Sequence, residues 1–214
     1  IAVVTNITRD HLDYHGSVEA YQRAKADLVM WPGIRQVILN AADADVMALK
    51  SYIAADVDVV TFSHISYTAD VRAEDVVYSK RGIAFALVIS EGRENVKNQL
   101  VGEFNVSNLL AVAAVLHCQQ YNIKQIALAL NSISQVPGRM QEVSLTEPEL
   151  MSELTLEQKS AELPGVIVDF AHTPDALEKA LTALKHHCEG KLRCVFGCGG
   201  EREKGKRAER GRMG

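Results

Sequence analysis

Two aspartates and two histidines lie within six residues near the start of the chain, in the segment DHLDYH (residues 10–15). The segment follows an apolar run, IAVVTN, that is typical of a buried strand. Carboxylates and imidazoles bind divalent cations and can orient a base, and ligands bind at the carboxyl ends of strands in open α/β sheets. The segment could therefore hold a divalent cation or orient a base, and an ordinary polar turn with a helix cap is the alternative.

A lysine falls on the apolar side of the next predicted helix, over residues 17–30. The apolar positions of that helix are Val18, Tyr21, Leu28 and Val29. Lys25 stands four residues after Tyr21 and three before Leu28, so the helical period points it with the buried face. A buried ammonium is strongly penalised unless it is paired or neutralised. Lys25 therefore either extends its charged end to the surface or has an altered charge, as a carbamylated lysine that serves as a metal ligand does.

Paired amides stand at the head of a third predicted helix, over residues 106–120. Asn105 and Asn108 lie three positions apart, next to the first turn. Asparagine at this place caps a helix, but two side-chain amides also offer the donors and acceptors that an adenine edge needs.

The segment DFAHTPD (residues 169–175) follows a predicted strand and begins a helix. The carboxylate of Asp169 can take ribose hydroxyls. His172, beside a helix N-terminus, is suited to a phosphate. The alternative is an ordinary strand–helix turn with Pro174 near the first helical position.

A basic segment near the end of the sequence imitates two phosphate-binding motifs. GEREKGKR (residues 200–207) has the glycine and lysine spacing of a P-loop, but Arg207 replaces the Ser or Thr that binds magnesium. Gly197 and Gly199 lack the third glycine of a dinucleotide fingerprint, because position 202 is arginine. We reject both motifs, although the segment can still meet an anion.

The elements that would position these residues follow an α/β pattern. Strands are predicted at residues 1–6, 36–40 and 56–62, with helices over residues 17–30 and 43–54 between them, which predicts a parallel sheet covered by helices. An antiparallel pair at residues 72–77 and 82–89 follows, and then helices over residues 106–120 and 123–132. After a polar stretch over residues 146–164, a strand at 166–170, a helix at 175–187 and a strand at 192–197 predict a new β-α-β unit.

Composition excludes several classes of protein. The 214 residues are 47% hydrophobic and 23% charged, which is typical of a globular protein and excludes a disordered chain or a coiled coil. No apolar run reaches the roughly 18 residues of a membrane span, and a net charge of -4 argues against a dedicated nucleic-acid binder. The four cysteines match no zinc spacing, so we expect reduced thiols in a cytoplasmic protein.

The order of the segments is more specific than any one of them. TNITRDHLDYHG, YQRAKADL, GEFNVSNLLAVAAVL, VPGRMQEV, VDFAHTPDALEKAL and VFGCGGEREKGKR together resemble the Mur ligase family. DFAHTPD and GCGGEREKGKR resemble the branch that adds the third amino acid to the peptidoglycan precursor UDP-N-acetylmuramoyl-L-alanyl-D-glutamate.

The resemblance implies a three-layer, mostly parallel α/β sheet from part of a central ATPase domain (residues 1–140). A linker or insertion (residues 141–164) and the beginning of a Rossmann-like C-terminal domain (residues 165–214) would follow. The family's P-loop would precede Ile1, and its motif for the incoming amino acid would follow Gly214. Since the sequence also opens inside a strand without a start methionine, we expect a fragment that is inactive alone.

The resemblance also implies a reaction. ATP phosphorylates the D-glutamyl carboxylate, with Mg2+ offsetting charge on the phosphoryl oxygens, and the amine of the incoming amino acid attacks the acyl phosphate. We expect meso-diaminopimelate rather than lysine, and a monomer that binds small molecules and neither nucleic acid nor a membrane. The implied residues are His11 and carbamylated Lys25 for metal and catalysis, Asn105 and Asn108 for adenine, Asp169 for ribose, Arg139 and His172 for phosphates, and Arg202 for the amino acid.

Two other functions remain open from the sequence. A non-catalytic nucleotide-binding module would use the adenine and ribose residues alone, but it would not need an anionic lysine beside His11. A related amide ligase, such as folylpolyglutamate synthase, is disfavoured by the DFAHTPD and GCGGEREKGKR segments.

Overall fold

The chain folds into two compact units, which we describe separately. The computed structural model describes residues 1–7, 18–79, 82–143, 165–172, 174–188 and 190–197. The first unit consists of residues 1–77, 83–98 and 103–133, and the second takes in residues 78–82, 99–102 and 134 onward.

A six-stranded sheet is the centre of the first unit. Its strands are β1 (Ala2–Val4), β2 (Gln36–Asn40), β3 (Asp58–Ser63), β4 (Val71–Ser79), β5 (Gly82–Ile89) and β6 (Gly92–Asn98). They lie side by side in their order along the chain. The pairs from β1 to β4 are parallel, and β5 and β6 pair antiparallel. The predicted parallel sheet is confirmed, and β6, which carries five polar residues among seven, was not predicted.

Both faces of the sheet are covered, which makes three layers. On β2, Val37 and Leu39 pack in a cluster with α1 (Val18–Val29) and α2 (Ala44–Ala48). Ile38, between them, is fully buried too, and alternation along a strand points it to the opposite face. Because β2 is buried on both faces, its sequence is a continuous apolar run, as is typical of parallel sheets.

Local side-chain bonds fix where the helices begin. Asp43 caps α2 by accepting from the amide of Val46 at 3.0 Å, and its second oxygen accepts from the amide of Ile7 at 3.0 Å. The capping carboxylate thereby holds the chain that leaves β1, immediately before the DHLDYH segment. A short 3-10 helix, Leu49–Tyr52, follows α2, where the sequence predicted one continuous helix to residue 54.

The remaining helices of the first unit are α3 (Glu103–Cys118) and α4 (Ile123–Ser132). α3 packs on β2 and β3, and α4 packs on β6 and α3. A reciprocal capping box between Asn122 and Gln125 begins α4, whose bounds agree with the prediction. α3 buries residues on several faces, which confirms its predicted place in the core.

The second unit contains a two-stranded sheet and one helix among the described residues. β7 (Gln141–Val143) pairs antiparallel with β8 (Val166–Val168), and α5 spans Pro174–Lys185. Val101, Met140, Ala180 and Ala183 form its apolar core. The strand predicted over residues 192–197 is wrong: described residues 190–197 contain no strand, and the Val195 side chain is 99% exposed. The predicted linker over residues 146–164 lies outside the described residues.

In the part of the chain that the structure describes, no helix has both the length and the apolar character needed to cross a membrane.

Candidate functional site

The two asparagines at the head of α3 form a connected pair. Asn105 is buried and Asn108 is exposed. The Nδ2 of Asn108 donates to the Oδ1 of Asn105 at 3.1 Å, as residues three apart on one helix face can do. The amide pair is therefore pre-oriented, with one member anchored in the core and the other presented at the surface.

Asp169 follows β8, and its side chain binds one backbone amide just before β7 and another just after β8. Its Oδ2 accepts from the amide of Met140 at 2.9 Å, and its Oδ1 accepts from the amide of Ala171 at 2.8 Å. Each carboxylate oxygen has two lone-pair sites, so each oxygen of Asp169 can accept one more hydrogen bond from a hydroxyl group. Asp169 is exposed in a fixed orientation, as a ribose ligand must be.

Arg139 and His172 both contact the Phe170 ring. The guanidinium carbon of Arg139 is 4.6 Å from the ring centroid, and the imidazole of His172 meets the ring edge-on at 5.2 Å between centroids. The Nδ1 of His172 also lies 3.2 Å from the carbonyl oxygen of Phe170. The structure thus brings together Arg139, Asp169 and His172, which the sequence placed on opposite sides of a predicted linker.

Lys25 lies half-buried on α1, but the face around it differs from the prediction. Ala26 and Val29 are the buried side chains, whereas Leu28 is 45% exposed. The predicted apolar stripe is therefore wrong at Leu28, because the helix turns Ala26 and Val29 toward the sheet. Lys25 precedes Ala26 by one position and Val29 by four, so it flanks the buried face.

His11 and Arg202 lie outside the described residues, so their predicted roles stay predictions. Within the described ranges, no group of three or more His, Cys, Asp or Glu side chains is placed to hold a metal ion.

An open cleft of about 350 Å³ lies elsewhere in the first unit. Its lining includes Asp70, Arg72, Ser90 and His117 and none of the predicted site residues. Nearby, the Ser90 hydroxyl and the backbone amide of Glu91 lower the pKa of the Glu91 carboxyl, with a smaller contribution from His117 at 3.8 Å. The cleft shares no residue with the candidate nucleotide site, so it is not part of that site.

Sequence reasoning missed the contacts of the Phe170 ring and the bond between Asp169 and Met140. Both depend on the pairing of β7 with β8, which places residue 141 opposite residue 168, where the ladder ends. Arg139 and Met140 directly precede β7, and Asp169 and Phe170 directly follow β8, so the pairing brings these residues near one another. A prediction of β7 as a strand would have exposed this pairing, but three residues after a Pro-Gly turn carry too weak a pattern.

Comparisons with known proteins show the family of the chain. Residues 1–116 match the Mur ligase middle domain, and residues 156–214 match the Mur ligase glutamate ligase domain. The UDP-N-acetylmuramoyl-L-alanyl-D-glutamate–2,6-diaminopimelate ligase of Pseudomonas putida is 40% identical over 214 residues, which cover 97% of this chain and 40% of that protein. The chain thus spans about two fifths of the length of such curated relatives.

Solved structures give the same result. A UDP-N-acetylmuramoyl-L-alanyl-D-glutamate–2,6-diaminopimelate ligase superposes with a TM-score of 0.73 at 33% identity, covering 99% of this chain and 41% of the other. MurF from Acinetobacter baumannii, at 20% identity and a TM-score of 0.70 over 87% of this chain and 37% of its own, shares the fold. Since two family models match in sequence and the first alone covers more than half of the chain, the chain belongs to the Mur ligase family.

Proposed function

We propose that this chain is part of an ATP-dependent amide ligase that adds meso-diaminopimelate to UDP-N-acetylmuramoyl-L-alanyl-D-glutamate in peptidoglycan synthesis. The names of relatives at about 40% identity support this reaction and this amino acid. The observation that carries the nucleotide part of the proposal is the ordered cluster of Arg139, Asp169 and His172 at the end of β8.

The proposed reaction has two steps. The γ-phosphoryl group of ATP passes to an oxygen of the D-glutamyl carboxylate, and ADP leaves. The amine of diaminopimelate then attacks the acyl carbon, the C–O bond to phosphate breaks, and inorganic phosphate leaves as the amide forms. The protein contributes mostly by positioning the groups and by stabilising charge.

Each nucleotide residue has a role that its geometry suits. The amides of Asn105 and Asn108 present a donor and an acceptor for the adenine edge. Asp169, held by two backbone amides, accepts from ribose hydroxyls. Arg139 and His172 donate to phosphate oxygens. The guanidinium of Arg139 can donate two parallel hydrogen bonds to one phosphate.

We assign Mg2+ to His11 and to a carbamate on Lys25. His11 would supply a ring nitrogen, and carbamylation would give Lys25 the oxygen atoms that bind the ion. Bound magnesium would offset charge on the transferred phosphoryl oxygens. Lys25 is half-buried beside Ala26, and a carbamate there would give it the negative charge and the oxygen atoms that a magnesium ligand needs.

The remaining proposals extend to the parts not described. Arg202 would bind a carboxylate of diaminopimelate. We propose a division into a central ATPase domain (residues 1–140), a linker (141–164) and a Rossmann-like beginning of the C-terminal domain (165–214). We place the protein in the cytoplasm as a monomer.

The test is an amide-ligase assay with a form of the protein that also carries an upstream P-loop and the downstream amino-acid motif. It should form ADP, phosphate and the tripeptide product only when ATP, UDP-N-acetylmuramoyl-L-alanyl-D-glutamate and meso-diaminopimelate are all present. L-lysine, in the matched reaction, should give little product.

The alternative functions give different results in the same assay. A non-catalytic nucleotide-binding module would bind ATP without releasing phosphate under any substrate combination. A folylpolyglutamate synthase would release phosphate with a folate and glutamate instead. Either result would overturn the proposed reaction.

A further inference from the structure

We propose that Phe170 is a positioning residue for nucleotide binding, and that its ring holds the guanidinium of Arg139 in the orientation that meets the phosphates. The proposal rests on the proposed function, because it takes Arg139 to be a phosphate ligand. The proposed function gives Phe170 no role in the reaction. Here Phe170 acts on nucleotide binding through the side chain of Arg139.

The ring is not explained by packing. Phe170 is 61% exposed, and it is absent from the apolar core of the second unit. A phenyl ring that exposes this much surface gains little from burial. Its described contacts are instead with one cationic and one titratable side chain.

The contact with Arg139 has the geometry of a cation–π interaction. The guanidinium carbon lies 4.6 Å from the ring centroid, well inside the roughly 6 Å limit for such pairs. The guanidinium is planar and carries donors around its rim, so stacking one face on a ring leaves the N–H groups directed outward. A stacked Arg139 therefore loses rotamer freedom without losing its ability to donate to phosphate.

The backbone around both residues is itself fixed. Asp169, next to Phe170, accepts from the amide of Met140, next to Arg139. The ladder of β7 and β8 ends at Gln141 and Val168, and the bond from Met140 to Asp169 joins the two segments just beyond it, beside Arg139 and Phe170. The imidazole of His172 also meets the Phe170 ring, edge-on, at 5.2 Å between centroids. The ring is thus held in place on a fixed frame, as a positioning residue must be.

The first experiment tests the stack without any nucleotide. In NMR spectra of the 214-residue chain, the ring current of Phe170 should shift the side-chain resonances of Arg139 upfield. Phe170→Leu should abolish that shift, and Phe170→Tyr, which keeps the ring, should preserve it. Arg139 resonances that are the same in the wild type and in Phe170→Leu would overturn the proposal.

The second experiment measures nucleotide affinity in a form of the protein that includes an upstream P-loop. Phe170→Leu should raise the Kd for ATP about two- to fivefold, as expected for loss of an exposed cation–π pair. Phe170→Tyr should bind like the wild type. Tyr121→Leu, which removes an exposed aromatic ring from the turn before α4, is the matched control and should not change the Kd.

Two comparisons show whether Phe170 acts through Arg139. Adenosine, which lacks phosphates, should bind Phe170→Leu and the wild type equally. In an Arg139→Ala background, Phe170→Leu should have no further effect on ATP affinity. Weaker binding of adenosine to Phe170→Leu would overturn the proposal, because the ring would then contact the nucleoside directly. A further loss of ATP affinity when Phe170→Leu is added to Arg139→Ala would also overturn it, because the ring would then act independently of Arg139.

The failures of the two proposals are distinguishable. If the wild type binds ATP and Phe170→Leu binds it equally well, the positioning role is wrong and the proposed function stands. If the wild type with an upstream P-loop binds no ATP, the proposed function fails, and the positioning role fails with it.

Discussion

Asp169 holds the backbone amide of Met140 at 2.9 Å across 29 residues of sequence. Met140 has a backbone φ of 46°, a left-handed conformation that costs energy for a residue with a side chain. Its side chain is nearly fully buried in the core of the second unit. The carboxylate therefore stabilises an unfavourable backbone conformation directly beside Arg139.

Asp169→Ala should lower the free energy of unfolding of the second unit by about 1 kcal/mol, because the Met140 amide loses its acceptor. Amide hydrogen exchange at Met140 should accelerate accordingly. Asp169→Asn keeps one carbonyl oxygen, so its free energy of unfolding should lie between those of Asp169→Ala and the wild type. Unchanged exchange at Met140 in Asp169→Ala would show that the contact contributes nothing to stability.

His187, just after α5, should protect the amide of Gly102. Its Nε2 lies 3.1 Å from the Gly102 nitrogen, and its Nδ1 lies 2.7 Å from the carbonyl oxygen of Ser79. Since an amide N–H can only donate, Nε2 accepts from Gly102 and Nδ1 donates to Ser79. His187→Phe removes both bonds and should accelerate exchange at Gly102 about five- to tenfold.

The control is His186→Phe, which changes the exposed neighbour of His187. It should leave exchange at Gly102 as in the wild type. If both variants accelerate exchange equally, the effect belongs to the end of the helix and not to the His187 bonds.

Cys118 should react with iodoacetamide only at more alkaline pH than a free thiol. Burial raises the pKa of the Cys118 thiol, and the negative charge of Asp58 adds to the increase. The thiolate, which is the reactive form, is therefore scarcer at any pH near the pKa. Labelling of the Cys118 peptide, followed by mass spectrometry from pH 7 to pH 10, should reach half of its maximal rate above the midpoint of N-acetylcysteine.

The same pKa shift sets the sign of a stability effect. Because the folded state favours the protonated thiol, the contribution of Cys118 to stability is fully present below the pKa of the unfolded chain. It is lost as pH rises through the folded pKa. A labelling midpoint equal to that of the free thiol would contradict both expectations.

Lys25 should be carbamylated and required for turnover. In a form of the protein with an upstream P-loop, Lys25→Ala and Lys25→Arg should both lose activity, because neither can form a carbamate. High bicarbonate should not restore Lys25→Ala. Lys50→Arg, at an exposed lysine of the same unit, should keep full activity.

The modification also has a direct readout. Protein equilibrated with 13C-bicarbonate should show a carbamate carbon resonance that disappears in Lys25→Arg. Near-full turnover of Lys25→Arg would show that the lysine acts only through its positive charge.

The 214-residue chain by itself should release no phosphate from ATP above a no-protein control. It contains no complete P-loop, since Arg207 replaces the Ser or Thr of the motif, so the β- and γ-phosphates lack their backbone cradle. Phosphate release that depends on the UDP-linked substrate would contradict this prediction. Adding an upstream P-loop segment is the matched comparison.

The sequence predicted the elements that have a long, regular pattern. The bounds of α4 and the burial of β2 followed from the apolar pattern of the sequence. The buried face of α1 did not, because Ala26 packs against the sheet while the larger Leu28 is exposed. Residue size and hydrophobicity do not reveal which way a short helix turns.

The sequence named the residues of the candidate site one by one, but it did not predict the contacts between them. Asp169 and Met140 are 29 positions apart, and no local pattern reports a bond between them. The segment from Leu192 to Gly197 was predicted as a strand from its local pattern, but it forms none, and Val195 is almost fully exposed. Contacts between distant residues depend on chain pairing, which a single sequence does not encode locally.

The six strands of the first sheet lie in the order in which they occur along the chain. During translation, each strand therefore emerges when the edge that it will pair with has already been made. Among these six strands, no earlier pairing has to open to admit a later one, because each strand pairs with the one made just before it. The sheet can thus grow in one direction on the ribosome, with the polar β6 added last and α4 covering it once α3 has been synthesised.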